Sequence, residues 1–515
     1  MDTGISPPKD AGVCLHITSL PGQYGIGELG DNALRFILSL EVMGFSFWQV
    51  LPTGPTGFAD SPYQTQSAFA GNELLIDIET LLREGWLLES EVEGLAALPT
   101  DTVDFGSLIP LKRTALNAAV DRFLESAPGD KLAACQAFAD EHDSDWLHNY
   151  AVYRVLKAQH DEKPWFEWPE KYASRDPEAI AAVEADNATE IRRVKVLQFM
   201  FREQWERIRT YARKHGVRLL GDLPFYPAYD SADIWVEPHL LLLDDAGKPA
   251  EVAGVPPDFF SEDGQLWGNP VYDWAYHAAD GYAWWARRLR YALALNDEVR
   301  IDHFRGFEAY WSIAAGAATA GEGRWVPGPG EALFDALREQ LGELPLVAED
   351  LGVITPEVDE LRARYGLPGM KVLQFEISDH DFGPHKIGAG NLCYTGTHDN
   401  DTTRGWFLGG ANDQRDPDEV RRNREAVLAA TGGAEDTVHL DVIRLALGMP
   451  ARTVFIPAQD LLGLGSEARL NVPGTTEGNW RWRMALRDLR PELCEVFRTM
   501  TTEAGRNPQV AAAGV

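Results

Sequence analysis

The stretch Glu298-Val-Arg-Ile-Asp-His-Phe-Arg-Gly306 begins as a short strand and ends in charged residues. Side chains alternate between the two faces of a strand, so Arg300 and Asp302 point to the same side. Val299 and Ile301 then point to the opposite side, where the helix layer of a parallel barrel would cover them. Because a barrel interior normally takes apolar side chains, the inward Arg and Asp indicate either a functional site or a buried structural ion pair.

Seven other short apolar or β-branched runs end in a similarly abrupt way, most of them at a polar or acidic residue. With the first, the predicted strands are residues 13–17, 47–51, 217–221, 299–301, 344–348, 371–375, 392–395 and 453–457. Helical patterns between them cover residues 32–42, 200–215, 282–295, 330–341, 355–365 and 438–447. Alternating strands and helices favour a parallel sheet, and eight strands predict an α/β fold, a (β/α)8 TIM barrel.

Two long intervals between predicted strands indicate insertions. Residues 53–216 separate the second strand from the third, far more than the single helix of an ordinary crossover requires. They predict a largely helical insertion, with helices at 111–124, 145–157 and 184–214. Residues 223–297 are rich in Pro, Gly and aromatic residues and predict a loop-rich insertion after the third strand. We therefore expect one catalytic barrel over residues 10–505, with both insertions on its C-terminal face.

The composition restricts the classes of partner. The chain has 515 residues, of which 45% are hydrophobic, so it can bury a large core. It carries 47 Lys and Arg against 79 Asp and Glu, a formal net charge of −32. Such a surface repels polyanions and anionic lipid, so we expect neither nucleic acid nor a membrane as partner. Neutral substrates or cations fit better.

The cysteines and the amino terminus predict a compartment. Cys14, Cys135, Cys393 and Cys494 lie far apart, without a Cys-x-x-Cys pair or a Cys/His cluster. A disulfide framework or a structural zinc site is therefore disfavoured. The amino terminus lacks the basic and apolar regions of a signal peptide. We expect a cytoplasmic protein with reduced thiols, and no metal or cofactor.

Two carboxylates at the ends of predicted strands suit catalysis. Arg300 beside Asp302 should lower the pKa of that carboxyl and hold it ionised, as a nucleophile requires. Glu349 ends an apolar run in Leu344-Pro-Leu-Val-Ala-Glu-Asp-Leu-Gly352, where burial would raise its pKa toward that of a general acid. The competing interpretation, an acid that caps a helix, suits Asp350 better than Glu349.

A third acid, Asp399, follows His398 in Leu392-Cys-Tyr-Thr-Gly-Thr-His-Asp-Asn400. Alone, this triplet is as often turn or capping chemistry. Three acids at the C-terminal ends of different strands, however, converge on one face of a barrel, and paired carboxylates cleave glycosidic bonds. The 16 Trp, 15 Tyr and 22 Phe also suit a sugar ligand, although for any single Trp packing is favoured over ligand binding. Residues 252–260 form a proline-stiffened loop that either covers the site or merely connects two elements.

Several motifs together identify a family. They are Ser61-Pro-Tyr63, Gly221-Asp-Leu-Pro-Phe225, Gly254-Val-Pro-Pro-Asp258, Leu266-Trp-Gly-Asn-Pro270, Arg300-Ile-Asp-His-Phe-Arg-Gly306, Ala348-Glu-Asp-Leu-Gly352, Gly369-Met-Lys-Val-Leu-Gln-Phe375 and Thr397-His-Asp-Asn400. This set resembles the 4-α-glucanotransferases called amylomaltases or disproportionating enzymes, within the α-amylase clan. The resemblance runs in family order from about residue 10 to residue 500.

The resemblance implies a reaction and a set of site residues. Asp302 would be the nucleophile of a covalent glucosyl-enzyme, Glu349 the acid/base, and Asp399 a group that stabilises the distorted sugar. The implied reaction moves α-1,4-glucan segments from a donor maltooligosaccharide to glucose or another glucan by a retaining double displacement. The implied substrates are maltooligosaccharides and glucans derived from starch or glycogen. The implied substrate-binding residues are Arg300, His303, His398, Asp222, Tyr63, Ser61, Gln265, Trp267, Asn269, Gly254, Pro257, Asp258, Asp350 and Phe375.

Three alternatives stay open at this point. An α-glucan hydrolase could use the same carboxylates, since water competes with a sugar hydroxyl in the second half-reaction. A metal-dependent barrel hydrolase could use His16, His303 and His398 with the three acids, although Arg300 beside Asp302 would oppose a cation. A non-catalytic glycan-binding protein would need no nucleophile.

Overall fold

The computed structural model of the chain describes residues 9–244, 246–257, 263–378, 382–410, 413 and 415–508. Within these residues, eight parallel strands form one sheet. They are β1 Asp10–Cys14, β2 Phe47–Gln49, β3 Arg218–Leu223, β6 Glu298–Ile301, β9 Leu346–Ala348, β10 Gly369–Val372, β11 Asn391–Tyr394 and β12 Thr453–Pro457. A second, antiparallel sheet contains β4 Glu251–Val255, β5 Gln265–Pro270, β7 Ala309–Ala314 and β8 Arg324–Pro327.

The large sheet curls into a barrel. Its strand order is β10-β11-β12-β1-β2-β3-β6-β9. The two end strands meet where the Ala348 N–H donates to the Pro368 carbonyl, at 2.9 Å, immediately before β10. The predicted (β/α)8 barrel is therefore confirmed.

Helices surround the barrel and fill the long connections. In chain order, the α-helices of the described residues are α1 Asp31–Met43, α2 Ile78–Arg83, α3 Glu89–Ala96, α4 Phe105–Ser126, α5 Gly129–His142, α6 His148–Gln159, α7 Glu170–Ala173, α8 Pro177–Asp186, α9 Ala188–Lys214, α10 Ala232–Val236, α11 Trp274–Ala279, α12 Ala283–Leu295, α13 Glu331–Leu341, α14 Pro356–Arg364, α15 Leu373–Glu376, α16 Thr403–Leu408, α17 Pro417–Thr431, α18 Val438–Gly448, α19 Ala458–Leu461 and α20 Pro491–Glu503. None of these helices combines the length and apolar character needed to cross a membrane.

The strand from the opening stretch has the predicted two faces. Val299 and Ile301 are buried in a cluster that includes residues of α12 and α13. Arg300 points to the interior, where its Nε lies 3.4 Å from the sulfur of Met370. The interior around the axis is filled by apolar residues: Phe47, Leu220, Val347, Met370, Val372, Leu392, Tyr394 and Phe455. Arg300 is thus a charged side chain in an apolar barrel core, near the C-terminal end of its strand.

The connection from β2 to β3 contains helices α2 to α9. The long helix α9 presents a buried apolar stripe, Phe201, Trp205, Ile208 and Ala212, at helical spacing. The Trp205 Nε1–H donates to the carbonyl of Leu295 at 2.9 Å, which fastens α9 to the end of α12. This stripe explains why the sequence pattern predicted a helix here, since the apolar residues recur every three to four positions.

The predicted loop over residues 252–260 is wrong in its first half. Residues 251–255 form β4, which pairs with β5 and β7. A Cβ at Gly254 would lie 2.2 Å from the Gln265 carbonyl oxygen, so glycine here permits a close approach of two strands. The glycine and the two following prolines look like loop residues in the sequence, but they shape and end a strand. Residues 258–260 lie outside the described residues.

Most barrel strands differ from their predicted bounds by one or two residues at an end, and two of them, β1 and β10, differ by three. The strand predicted at 371–375 ends at Val372, and Phe375 lies in the short helix α15, because Gln374 turns inward and donates to the Asp401 carbonyl at 2.8 Å. The first strand begins at Asp10, which is buried although acidic. Its carboxylate accepts hydrogen bonds from Ser46, at 2.7 Å, and Arg218, at 2.6 Å. In the sequence alone, an acid that is buried and paired in the fold looks like an exposed loop residue, so the start of the strand was not predicted.

A buried ion pair joins the helical connection to the barrel. Lys112 of α4 has no exposed side-chain surface and pairs with Glu28, which precedes α1. We expect Lys112→Met to lower the free energy of unfolding by roughly 3–5 kcal/mol, because Glu28 would remain buried without its cationic partner. Urea denaturation checks this, with Lys112→Met/Glu28→Leu as the matched variant that should recover much of the loss. A loss under about 1 kcal/mol in the single variant would contradict it.

Candidate active site

The C-terminal ends of the barrel strands carry the predicted acids. Asp222 lies near the end of β3, and Asp302 and Glu349 directly follow β6 and β9. Strand pairing aligns Ile301 with Ala348, so Asp302 and Glu349 occupy neighbouring positions at one rim. Side chains at this end of a barrel form the active sites of such folds.

Arg300 connects two of the carboxylates. Its Nη1 donates to both carboxylate oxygens of Asp222, each at 2.8 Å, and its Nη2 lies 3.0 Å from Oδ1 of Asp302. The Tyr63 hydroxyl donates to Asp222 at 2.8 Å. Because the Arg300 guanidinium and Asp222 are buried, this network fixes the position of Asp302 while leaving 33% of the Asp302 side chain exposed.

The predicted direction of the Asp302 pKa is wrong. Burial raises the pKa of Asp302 above its usual value, and the negative charges of Asp222 and Asp399 act in the same direction. Arg300 and His398 lower the pKa but do not outweigh burial. Arg300 therefore limits the rise and favours ionisation, as its position suggested, without bringing the pKa below that of an ordinary aspartate.

The predicted direction of the Glu349 pKa is confirmed. Burial raises the pKa of Glu349 to about 7, with Asp302 adding to the rise and Arg300 opposing it. Its carboxylate oxygens accept hydrogen bonds from the backbone N–H groups of His303, at 2.7 Å, and Leu351, at 2.8 Å. These bonds hold the carboxyl against the turn that follows Asp302, and a pKa near 7 lets it exchange a proton at neutral pH.

Asp399 is held from a distant part of the chain. Asn471 donates to its Oδ1 at 2.6 Å, and Arg469 donates to its backbone carbonyl at 2.7 Å. His398 Nε2 lies 3.3 Å from the other carboxylate oxygen. Sequence reasoning missed Asn471 and Arg469, whose one visible signal is the turn-like Asn471-Val-Pro-Gly474.

Aromatic rings surround His398. The Tyr63 ring lies parallel to it, with centroids 5.1 Å apart. The Trp480 ring lies 6.0 Å from Tyr63 and 6.1 Å from His398, and it too was missed from the sequence. Ser61 accepts a hydrogen bond from the Tyr63 backbone N–H at 3.2 Å, so it shapes the turn that presents this ring.

Strand β5 brings further predicted residues to the site. The Trp267 ring lies 4.8 Å from the His303 ring, nearly perpendicular to it, and the Trp267 Nε1–H donates to the Gln265 side chain at 3.1 Å. Asn269 is buried and donates to the Pro227 carbonyl at 3.1 Å. Burial lowers the pKa of His303 to about 3, so this imidazole is neutral at physiological pH.

The remaining predicted residues are less closely tied to the acids. Both oxygens of Asp350 are occupied by protein groups, the Met370 N–H at 2.6 Å and Arg362 at 3.2 Å. Gly254 lies within β4, and Pro257 is exposed beyond it. Phe375 is 43% exposed on α15. Asp258 lies outside the described residues.

The geometry suits acid/base and nucleophilic chemistry. Glu349 can hold a proton near neutral pH, while Asp302 faces a fixed guanidinium, and the two lie at adjacent strand ends. Such a pair of carboxyls in different environments is the machinery of glycosidic bond cleavage. Within the described residues, His, Cys, Asp and Glu side chains do not form a group of three or more that could hold a metal ion.

Comparisons with known proteins agree with this chemistry. A family model described as 4-alpha-glucanotransferase matches residues 15–488. A 4-alpha-glucanotransferase of Thermus thermophilus is 44% identical over 504 residues, covering 97% of this chain and 99% of that protein. A chloroplastic/amyloplastic 4-alpha-glucanotransferase of Arabidopsis thaliana is 42% identical over 479 residues, 92% of this chain and 81% of that one.

A solved structure matches over nearly the whole chain. An amylomaltase of Streptococcus agalactiae, determined in complex with acarbose, superposes with a TM-score of 0.91 at 34% sequence identity. The match covers 97% of this chain and all of that one. An amylomaltase of Corynebacterium glutamicum shares the fold, with a TM-score of 0.78 at 19% identity over 96% of this chain and 75% of that one.

Proposed function

The chain belongs to the 4-alpha-glucanotransferase family, and from this premise we propose that it moves α-1,4-glucan segments between maltooligosaccharides with Asp302 as nucleophile and Glu349 as acid/base. The observation that carries the assignment of roles is the pairing of Arg300 with Asp302 beside a Glu349 whose pKa is raised to about 7. One carboxyl is placed to be ionised and its neighbour to be protonated, as double displacement requires.

In the first half-reaction, the ionised Asp302 attacks the anomeric carbon of the donor sugar. The bond to the glycosidic oxygen breaks as that oxygen takes the proton from Glu349, and the leaving chain departs with a new hydroxyl. The product is a glucosyl ester on Asp302 and an ionised Glu349. The backbone N–H groups of His303 and Leu351 stabilise that ionised form.

In the second half-reaction, an acceptor hydroxyl attacks the same carbon and gives its proton to Glu349. The ester bond breaks, Asp302 is released as a carboxylate, and the new glycosidic bond has the configuration of the old one. The acceptor is glucose or another α-glucan. A water molecule in its place would give hydrolysis, so the acceptor must displace water from the site.

The remaining polar groups suit the donor sugar. Asp399 keeps an exposed carboxylate whose direction Asn471 sets, which fits a group that accepts hydrogen bonds from sugar hydroxyls. Tyr63 and His398 present stacked rings beside it. Asp222 neutralises one side of Arg300, so the guanidinium holds Asp302 without a net excess of positive charge.

Maltotriose as sole substrate tests the proposed reaction. We expect glucose together with a ladder of maltooligosaccharides longer than maltotriose, because the excised segments are added to other chains. Chromatography of the products over time separates this from hydrolysis. Accumulation of glucose and maltose alone would contradict transfer and favour an α-glucan hydrolase that uses the same carboxylates.

The pH dependence follows from the two carboxyls. We expect kcat/KM on maltotriose to fall as pH rises through about 7, because Glu349 loses the proton it must donate. On the acid side kcat/KM should fall as Asp302 is protonated, at a pH above the usual aspartate range. A pH profile between about pH 4 and pH 9 measures both limbs. A rate that stays constant through the alkaline range would contradict the role of Glu349.

We also infer that the enzyme works in the cytoplasm. All four cysteines are unpaired, and Cys14, Cys393 and Cys494 are buried, which suits a reducing compartment. Cell fractionation with antibodies against the protein tests this. Recovery in the secreted fraction would contradict it.

A further inference from the structure

A buried aspartate holds both ends of the loop that carries His398 and Asp399. This residue, Asp460, lies on α19, three residues after β12, and only 1% of its surface is exposed. The loop begins at Thr395, immediately after β11, and ends at Thr403, the first residue of α16. The strand end and the helix start are therefore connected through one carboxylate from a third segment of the chain.

Three hydrogen bonds make this connection. The Thr395 hydroxyl donates to Oδ2 of Asp460 at 2.7 Å. At the other end of the loop, the Thr403 backbone N–H donates to Oδ1 at 2.6 Å, and the Thr403 hydroxyl donates to Oδ2 at 2.7 Å. Hydrogen bonds to a carboxylate are short and about twice as strong as those between neutral groups. Asp460 thus fixes the two ends of the loop relative to each other.

Between its ends the loop is folded on itself. The Asn400 side-chain oxygen accepts hydrogen bonds from the Thr397 backbone N–H, at 2.9 Å, and from the Thr397 hydroxyl, at 2.8 Å. The backbone N–H of Asp399 donates to the same hydroxyl at 3.2 Å. A turn with these internal bonds moves as one unit, so a shift at the ends of the loop would displace the Asp399 carboxylate.

A helix-capping role explains only part of these contacts. The backbone N–H of Thr403 has no acceptor inside α16, so a carboxylate beside it stabilises that helix. The N-cap position itself is already filled by Thr402, whose hydroxyl accepts from the Gly405 N–H at 3.0 Å. The bond from Thr395 is made at the end of β11 and adds nothing to the helix. It joins the strand end to the start of α16 across the loop.

We propose that Asp460 is a positioning residue that sets the place of Asp399 relative to Asp302. It acts through the two threonines at the ends of the loop and touches neither the substrate nor the reacting atoms. In the proposed reaction Asp399 accepts hydrogen bonds from the donor sugar, and such contacts accelerate a reaction only if they fit the transition state. The inference rests on the proposed function and adds a residue on which its donor site depends.

A double-mutant cycle tests whether Asp460 acts through Asp399. The kcat/KM for fluoride release from an α-maltosyl fluoride is measured for the wild type, Asp460→Asn, Asp399→Ala and the double variant, because an activated donor keeps weak variants measurable. Circular dichroism at the assay temperature gives the folded fraction, by which each rate is divided.

Asp77→Asn is the matched control. Asp77 is also buried, and it also accepts hydrogen bonds from the backbone N–H, at 2.8 Å, and the hydroxyl, at 2.6 Å, of one threonine, Thr80. It precedes α2 in the β2–β3 connection. Its replacement should lower the urea midpoint and leave kcat/KM within about twofold of the wild type.

We expect Asp460→Asn to lower kcat/KM by roughly tenfold or more when Asp399 is present, since a misplacement of about 1 Å can cost about a hundredfold. In the Asp399→Ala background the same change should cost less than about twofold, because the group that Asp460 positions is gone.

Thr395 gives a second comparison if Asp460→Asn does not fold. Thr395→Val removes one hydroxyl donor at constant side-chain size, whereas Thr395→Ser keeps the donor. We expect Thr395→Val to lower kcat/KM by about threefold or more when Asp399 is present, and Thr395→Ser to retain most of the rate.

Two results would overturn the inference. An equal loss in both backgrounds would mean that Asp460 only supports the fold. A folded Asp460→Asn variant with the wild-type kcat/KM would mean that the loop keeps its place without this carboxylate. The products from maltotriose test the proposed function separately. A wild type that releases fluoride but makes no longer chains would contradict transfer, while the cycle would still decide the role of Asp460.

Discussion

Replacement of Asp302 by alanine is expected to lower kcat on maltotriose by roughly 10⁴-fold or more, because the glucosyl-enzyme can no longer form. The fold should persist, since Asp302 keeps a third of its side chain exposed and Arg300 retains its buried partner Asp222. Binding of maltooligosaccharides should persist as well. Steady-state kinetics on maltotriose measures the loss, and calorimetric titration with maltohexaose measures the binding that remains.

A remote carboxylate provides the control. Asp418 on α17 has a 76% exposed side chain, and Asp418→Ala should change kcat by less than about twofold. Asp302→Asn should be as inactive as Asp302→Ala, because the asparagine amide has the size of the aspartate side chain but lacks its nucleophilic carboxylate. Residual activity of either Asp302 variant within about a hundredfold of the wild type would assign the nucleophile to another residue.

Replacement of Glu349 by glutamine is expected to slow the reaction of substrates with a poor leaving group far more than that of substrates with a good one. With maltotriose, kcat/KM should fall by roughly 10³-fold, because the glycosidic oxygen departs without a proton. With an α-maltosyl fluoride, the rate of the first half-reaction should stay within about tenfold of the wild-type rate, because fluoride leaves without needing a proton from Glu349. Release of fluoride against time should show a burst followed by a slow phase, since the second half-reaction lacks its base.

The same variant tests the assignment of the alkaline limb. The fall in kcat/KM through about pH 7 should disappear in Glu349→Gln, because glutamine does not titrate. Asp350→Asn is the matched control on the next residue, whose oxygens are bound to Met370 and Arg362. An alkaline limb that survives in Glu349→Gln would assign the acid/base to another group.

The barrel and its principal acids could be predicted from sequence because both depend on local patterns. A short apolar run that ends in an acid places that acid at a strand end, and alternation along Val299–Arg300–Ile301–Asp302 separates the two faces. These patterns need no knowledge of distant segments. The bounds were less accurate where a buried polar residue is satisfied by a distant partner, as Asp10 is by Ser46 and Arg218.

The small antiparallel sheet could not be predicted in the same way. Its strands come from two separate connections, one after β3 and one after β6, so their pairing depends on contacts between distant segments. Gly254 and the prolines that follow it look like loop residues to any local rule.

The residues that orient Asp399 were missed for a similar reason. Asn471 and Arg469 are 72 and 70 residues beyond Asp399, in a segment without the strand and acid pattern that marked the other site residues. The pKa of Asp302 could not be predicted from the sequence for the same reason. Its neighbour Arg300 is visible in the sequence, but the burial that outweighs this charge exists only in the folded chain.

The measurement that tests the central claim most directly is the location of the trapped sugar. Glu349→Gln is treated briefly with an α-maltosyl fluoride, digested at low pH and mapped by tandem mass spectrometry. The account predicts one maltosyl adduct, on the peptide that contains Asp302 and on the Asp302 side chain. An adduct on Asp222 or Asp399, or a slow turnover without any adduct, would contradict it.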